Sequence, residues 1–233
     1  MSGSCALLVF AKTPKPGKVK TRLLAAVSAE DAAALHAACI EDTRRLALKL
    51  RGCDVFVFAA GGTRHFRKLV KKQGSGARVR VLPQRGSDLG TRMENAFRKC
   101  FAMGYREVVV IGTDTPWMGA ERVRQAFADL RANDVVIGPA EDGGYYLLGM
   151  RKMVPKIFRT IPWSTERVLE LTLKKIVALK LQRKLLRRDF DLDRPEDLKR
   201  AAKMLKKRPR IAPALGKAIG EVKGARLGRR PLH

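Results

Sequence analysis

Cysteine is sparse in this chain of 233 residues, and the four present lack the spacing that disulfide or zinc chemistry needs. Cys5, Cys39, Cys53 and Cys100 form no CxxC pair, have no histidine at metal-ligand spacing and lie in apolar surroundings, so buried free thiols are expected. Long apolar runs are missing too. The longest uncharged stretch is the first eleven residues, far short of the roughly 20 apolar residues a transmembrane helix requires. Met1–Ser4 carry no side-chain charge and the run Cys5–Ala11 is short, which is not a secretory pattern, and a cytoplasmic protein is expected. Acids are also scarce: 22 Asp and Glu stand against 49 Lys and Arg, a formal net charge of +27.

That charge is unevenly spread. Residues 1–60 carry a net +4, residues 61–150 a net +6 and residues 151–233 a net +17. From Lys199 onward twelve basic residues are opposed by Glu221 alone. A basic tail of this kind is expected to bind polyanions weakly through counterion release. No aromatic residue follows Phe190, so the tail lacks the stacking platform of single-strand binders. The chain as a whole is 45% hydrophobic, enough to bury a sizeable core, and a wholly disordered basic protein is excluded. One domain over residues 1–207 and a basic tail over 208–233 is the economical division.

Cys5–Phe10, Asp54–Ala60, Arg78–Leu82, Glu107–Ile111 and Asp134–Ile137 are short runs rich in Val, Ile and Phe, as strands buried on both faces are. Helical patterns over 29–50, 64–72, 89–103 and 120–131 alternate with them. Further on, 143–150 and 182–188 read as strands, and 165–179 and 195–207 as helices, the last with Pro195 at its first turn. The alternation predicts an α/β fold with a mostly parallel central sheet and helices on both faces.

In open α/β sheets, ligands bind beyond the carboxyl ends of the strands. Three loops there carry chemistry. The first, Lys12–Arg22, is stiffened by Pro14 and Pro16 and holds five cations, which suits a diphosphate. It is not a Walker A loop, because Val19 follows Gly17-Lys18 and no glycine stands five positions before Gly17. The second, Gly112-Thr-Asp-Thr-Pro116, places Asp114 where a carboxylate either shares Mg²⁺ with substrate phosphates or caps the next turn. The third, Gly138–Tyr146, joins Glu141 and Asp142 to two glycines, so that an acid could orient a hydroxyl or act as a base, or the segment could be a hairpin turn. Asp191 and Asp193, before the helix that Pro195 starts, offer an N-cap or a further metal ligand.

Six segments in order resemble a bacterial family of nucleotide-diphospho-sugar transferase-like proteins, some of whose members are glycosyltransferases of arsenosugar biosynthesis. They are Lys18–Leu23, Gln84–Met93, Gly112–Pro116, Gly138–Leu147, Trp163–Thr165 and Asp191–Leu198. The resemblance covers about Leu7 to Leu198 and implies a Rossmann-like GT-A fold that binds a nucleotide-sugar with Mg²⁺ or Mn²⁺. It implies that Lys12, Lys18 and Arg22 meet the donor phosphates, that Asp88 and Arg92 belong to the donor site, and that Asp114 binds metal with Asp191 or Asp193. Asp142 would lie near the sugar or the acceptor and, with Asp114, serve catalysis. The expected reaction is glycosyl transfer from a nucleoside-diphosphate sugar to an unidentified small-molecule acceptor. The alternative is a nucleotidyltransferase acting on a phosphorylated small molecule, since Lys20-Thr-Arg-Leu23 also resembles the guanylyltransferases that cap phospholactate.

Overall fold

Val, Ile and Phe pack best on a pleated surface covered on both sides. In the computed structural model, which describes residues 5–71 and 79–222, each apolar run contributes a strand. These are β1 (Cys5–Lys12), β2 (Cys53–Ala60), β3 (Val79–Pro83), β4 (Glu107–Ile111), β5 (Val135–Pro139), β6 (Tyr145–Met150) and β7 (Arg183–Leu185). They form one sheet in the order β3-β2-β1-β4-β6-β5-β7. Every pairing is parallel except those of β6, which runs antiparallel to both β4 and β5. The reversal has a local cause: a tight turn after Ala140 returns the chain beside β5, whereas a parallel return needs a crossover. β7 closes one edge with Arg183 and Lys184 exposed, and such cations discourage pairing with another strand.

The helices are α1 (Ala29–Leu48), α2 (Arg64–Lys71), α3 (Leu89–Ala102), α4 (Gly119–Leu130), α5 (Val168–Ala178), α6 (Pro195–Lys207) and α7 (Pro213–Glu221). Alternate strand residues face opposite sides of a sheet. Leu8, Phe56, Val108 and Ile137 therefore pack on one face against Phe97 of α3 and Ile176 of α5. Leu7, Val55, Val109 and Val136 pack on the other against Leu46 of α1 and Val123 of α4. A third cluster beside the sheet joins Leu35 and Cys39 of α1 to Leu198 and Leu205 of α6. The four cysteines are free thiols. Among the described residues no helix is long and apolar enough to cross a membrane.

The expected domain boundary at Lys207 needs correction. Beyond it, α7 buries Leu215 and Ile219 in the third cluster, and Ala212 just before it is fully buried. The buried carboxylate of Asp42 on α1 accepts the Ala214 and Leu215 amides at 3.0 and 2.8 Å, satisfying two of the first N–H groups of α7. The folded body thus runs to at least Glu221. The basic run 223–230 of the expected tail lies outside the described residues.

Candidate functional site

The loop after β1 and the loop after β4 meet at the carboxyl edge of the sheet, and a third loop, 189–194, is laid across them. Its position is set by backbone and side-chain bonds together. The Leu192 amide donates to the Asp114 carbonyl at 2.8 Å, and the Thr115 hydroxyl donates to Asp191 Oδ1. Lys20 completes the junction. Its ammonium donates to Asp114 Oδ1 at 2.5 Å and to the Leu192 carbonyl, so one buried cation ties all three loops. To reach that point Lys20 adopts a left-handed backbone, φ 48°, uncommon for a residue with a side chain.

The charges here depend on one another. Burial works against the Lys20 ammonium, but Asp114, with Asp191 behind it, outweighs that cost and raises the lysine above its ordinary value. Asp114 keeps 49% of its side-chain surface accessible through the cleft, yet protein surrounds it on the other sides. That burial disfavours its charge, and the Lys20 ammonium more than compensates, holding the carboxyl below the usual range. Among the described residues Asp191 has no such paired cation. Burial first, then the nearby Asp114 and Asp142 carboxylates, push it up to about 7, against the opposing pull of the Thr115 hydroxyl and Lys20. His36 of α1 stands behind Asp114. Its Nε2 lies 3.0 Å from the Lys12 carbonyl and its Nδ1 4.0 Å from Asp114 Oδ1, where, among the described residues, this buried nitrogen has no hydrogen-bond partner.

These groups open on a cleft of about 1020 Å³. Its far wall comes from the β5–β6 turn and the segment before α5. Gly143, at φ 87°, lies so close to this segment that an added Cβ would stand 2.0 Å from the Glu166 carbonyl oxygen. The turn is further held by Asp142 Oδ1, which accepts the Gly144 amide at 2.9 Å. Trp163 packs against the first turn of α3, where only glycine fits: a Cβ on Gly90 would be 2.0 Å from the indole nitrogen. The 189–194 loop is buttressed by Trp117, stacked on Phe190 at 4.4 Å, and by Arg200, whose guanidinium lies over the Phe190 ring at 3.9 Å from its centre and grips Glu141 at 2.6 and 2.9 Å.

The residues expected to form the site separate into two groups. Arg22, Asp114, Asp142, Asp191 and Asp193 all line the cleft. Asp193 is not an open ligand, because Arg22 grips its Oδ2 at 2.5 Å. Lys12 and Lys18 are exposed in the first loop but do not line the cleft. Asp88 is the N-cap of α3, accepting the Thr91 amide at 2.9 Å, and Arg92 donates to the Gly86 carbonyl at 3.0 Å, so both have local jobs in shaping the Gln84–Met93 segment. Sequence reasoning missed Lys20, His36, Trp163 and Glu166 as individual site residues. Lys20 is one of five cations in its loop, and nothing local marks it as the buried one.

Among the described residues no three His, Cys, Asp or Glu side chains form a cage for a metal ion. Two carboxylates remain that could share one, Asp114 and Asp191. Such a pair suits Mg²⁺, which is commonly held by one or two carboxylates with phosphates and water completing the shell. Asp191 and Asp114 line one cleft, and two carboxylates there are a donor set that fits a divalent cation arriving with phosphates.

A seven-stranded sheet with one reversed strand, and a site at its carboxyl edge, define the chain as a nucleotide-diphospho-sugar transferase fold of the GT-A class. The chain belongs to the family described as "Uncharacterized protein conserved in bacteria (DUF2064)", which matches residues 43–165. A protein from Desulfovibrio desulfuricans, provisionally described as a nucleotide-diphospho-sugar transferase, is 33% identical, with a TM-score of 0.83 over 94% of this chain and 98% of that one. More distant is a 4-diphosphocytidyl-2C-methyl-D-erythritol synthase from Anaerococcus prevotii, 9% identical with a TM-score of 0.59 over 87% of this chain and 96% of that one. A CMP:2-keto-3-deoxy-manno-octonic acid synthetase complexed with CTP is 12% identical with a TM-score of 0.55 over 88% and 99%. At those identities the likeness is one of fold alone. No curated protein matches the chain.

Proposed function

We propose that the protein transfers a glycosyl group from a nucleoside-diphosphate sugar to an acceptor hydroxyl, assisted by Mg²⁺ or Mn²⁺. The observation that carries this reading is the convergence of Asp114, Asp142 and Asp191 on one cleft that Arg22 of the cationic loop also lines. The relative described as a nucleotide-diphospho-sugar transferase supports the choice of donor. Asp114 and Asp191 would hold the metal ion, which when bound supplies positive charge for the departing diphosphate.

The chain's own groups do the rest. Arg22 spends one N–H on Asp193 and keeps others to fork onto a phosphate. Lys12 and Lys18 add charge at the loop, and Lys20 holds Asp114 ionised and in place. Asp142 keeps one oxygen free of its own turn and receives the acceptor's proton. The bond from the anomeric carbon to the diphosphate oxygen breaks, its electron pair leaves with the diphosphate, and the acceptor oxygen bonds to the same carbon.

The test is a thermal-shift screen of nucleotides, nucleotide-sugars and metals on the full chain. Stabilisation by a UDP- or GDP-sugar with Mg²⁺ or Mn²⁺ is expected. Stabilisation by nucleoside triphosphates alone would replace glycosyl transfer with nucleotidyl transfer to a phosphorylated small molecule.

A further inference from the structure

The fold brings together two thiols that are far apart in the chain. β1 and β2 are adjacent parallel strands, and Cys5 and Cys53, the first residue of each, are partners in their register. Both side chains leave the sheet on the same face, where Cys53 is buried in the second cluster and Cys5 packs against it. Neighbouring strands lie about 4.8 Å apart. A disulfide joins Cα atoms roughly 4.4–6.8 Å apart, so the backbone already has the spacing of a bridge. The Cys5 S–H donates to the Gly52 carbonyl at 3.4 Å, which aims its sulfur at the peptide that leads into Cys53. The chain enters β2 through a turn at Gly52, φ 75°, so the ladder holds Cys53 on one side only.

The two sulfurs are unequal. Cys53 is buried, whereas Cys5 is partly exposed. The Cys53 thiol, as a donor to the Cys5 sulfur, holds Cys5 below the ordinary thiol value, against burial and the Glu107 and Asp54 carboxylates. The same bond, together with burial, pushes Cys53 up. Cys5 is therefore both reachable and the more readily ionised, as an attacking thiol must be, and Cys53 stands beside it as the resolving one. The other two cysteines lack these features. Cys39 of α1 and Cys100 of α3 are fully buried in separate clusters, and burial pushes both up to about 12.

We propose that Cys5 and Cys53 are a modification site, a thiol pair that a small-molecule disulfide of the glutathione type closes into an intramolecular bridge. The Cys5 thiolate attacks one sulfur of the oxidant, whose S–S bond breaks and releases a thiolate. Cys53 gives up its proton to solvent and attacks the Cys5 sulfur of the mixed disulfide, and the second thiolate leaves. The protein loses two electrons and two protons, and the oxidant ends as two thiols. The bridge joins the amino ends of β1 and β2, across the sheet from the carboxyl edge where the cleft opens. It fastens the β1–α1–β2 unit and leaves Asp114 and its neighbours untouched.

The test is exposure of the native full chain to oxidised glutathione, followed by unfolding, alkylation of the remaining thiols and peptide mass spectrometry. In wild type the Cys5 and Cys53 peptides should be joined, with Cys39 and Cys100 fully alkylated. Cys53→Ser should stop at a glutathione adduct on Cys5, and Cys5→Ser should leave the other thiols reduced. The oxidised wild type should unfold cooperatively, at a temperature no lower than the reduced protein. Full alkylation of all four cysteines, an adduct on wild-type Cys5 that never resolves, or a bridge to Cys39 or Cys100 would overturn the inference. Loss of cooperative unfolding on oxidation would overturn it too, because the bridge would then belong to the unfolded chain and not to the register of β1 and β2.

Discussion

Lys20 is the cation of the first loop that the structure holds most firmly. Its side chain is only 3% exposed, and both of its acceptors are fixed parts of other loops. Removing one member of a fully buried pair costs about 3–5 kcal/mol, because the other charge is left in a poor medium. Asp114 is half open to the cleft and can recover water, so the penalty should be smaller. Lys20→Met is expected to destabilise the fold by about 2 kcal/mol in denaturant titration. Arg22→Ala removes a pair whose cation is well exposed and should leave stability nearly unchanged. If the two variants unfold at the same denaturant concentration, Lys20 is a surface cation like its neighbours. Sequence cannot separate them: both are cations of one loop, and the difference lies in a carboxylate 94 residues away.

At the scale of elements, two docking events carry predictions. The first is α7. Its apolar stripe, Leu215, Ala218, Ile219 and Val222, follows helical spacing but is short and lies within a basic stretch, and its cap, Asp42, is supplied from α1. The strands and longer helices were legible because their periodicity is local, whereas the placement of α7 depends on a partner 173 residues away. Burial of Leu215 and Ile219 contributes about 1.5–3 kcal/mol each. Truncation after Lys207 should therefore lower the thermal midpoint clearly, and Asp42→Ala should lower it in the same direction by less; an unchanged midpoint on truncation would make α7 an ornament. The second is Asp134, which joins β5 to the start of β7 and the end of β6. It accepts the Gln182 amide at 3.0 Å and Arg151 Nε at 3.0 Å, with Lys152 at 3.4 Å. Burial opposes its charge, but those donors prevail and depress its pKa. A depressed carboxyl stabilises above its unfolded pKa of about 3.9, and that contribution is lost as pH falls through the folded value. Asp134→Asn should cost about 2 kcal/mol at neutral pH, with the gap to wild type closing in acid below about pH 4. A gap of constant size across that range would mean that shape, and not charge, is what Asp134 supplies.

For the whole molecule, the arrangement of charge is more telling than its total. Sequence made the surplus of cations plain, and it placed Asp114, Asp142 and Asp191 at loop positions that the fold brings together. It could not show that the cleft has the opposite sign to the surface, because Arg22, Lys20 and Arg200 are consumed by carboxylates distant in sequence. The cationic surface draws an anionic nucleotide in, but the acidic cleft cannot retain it without further positive charge. With two shared carboxylates and, among the described residues, no cage of three, the protein alone should hold a divalent ion weakly as well. Each ligand then supplies what the other lacks, and linkage requires that each raise the affinity of the other by the same factor. Calorimetry should show UDP or GDP binding strengthened roughly ten-fold or more by Mg²⁺, and Mg²⁺ binding strengthened equally by the nucleotide. Asp114→Asn keeps an oxygen for the Lys20 ammonium, so it should fold with a loss of only about 1 kcal/mol, yet most of the mutual enhancement should disappear. A variant that retains the full enhancement would move the metal away from Asp114. Nucleotide binding to wild type that is indifferent to Mg²⁺ would mean that Arg22 and the exposed loop lysines are sufficient by themselves.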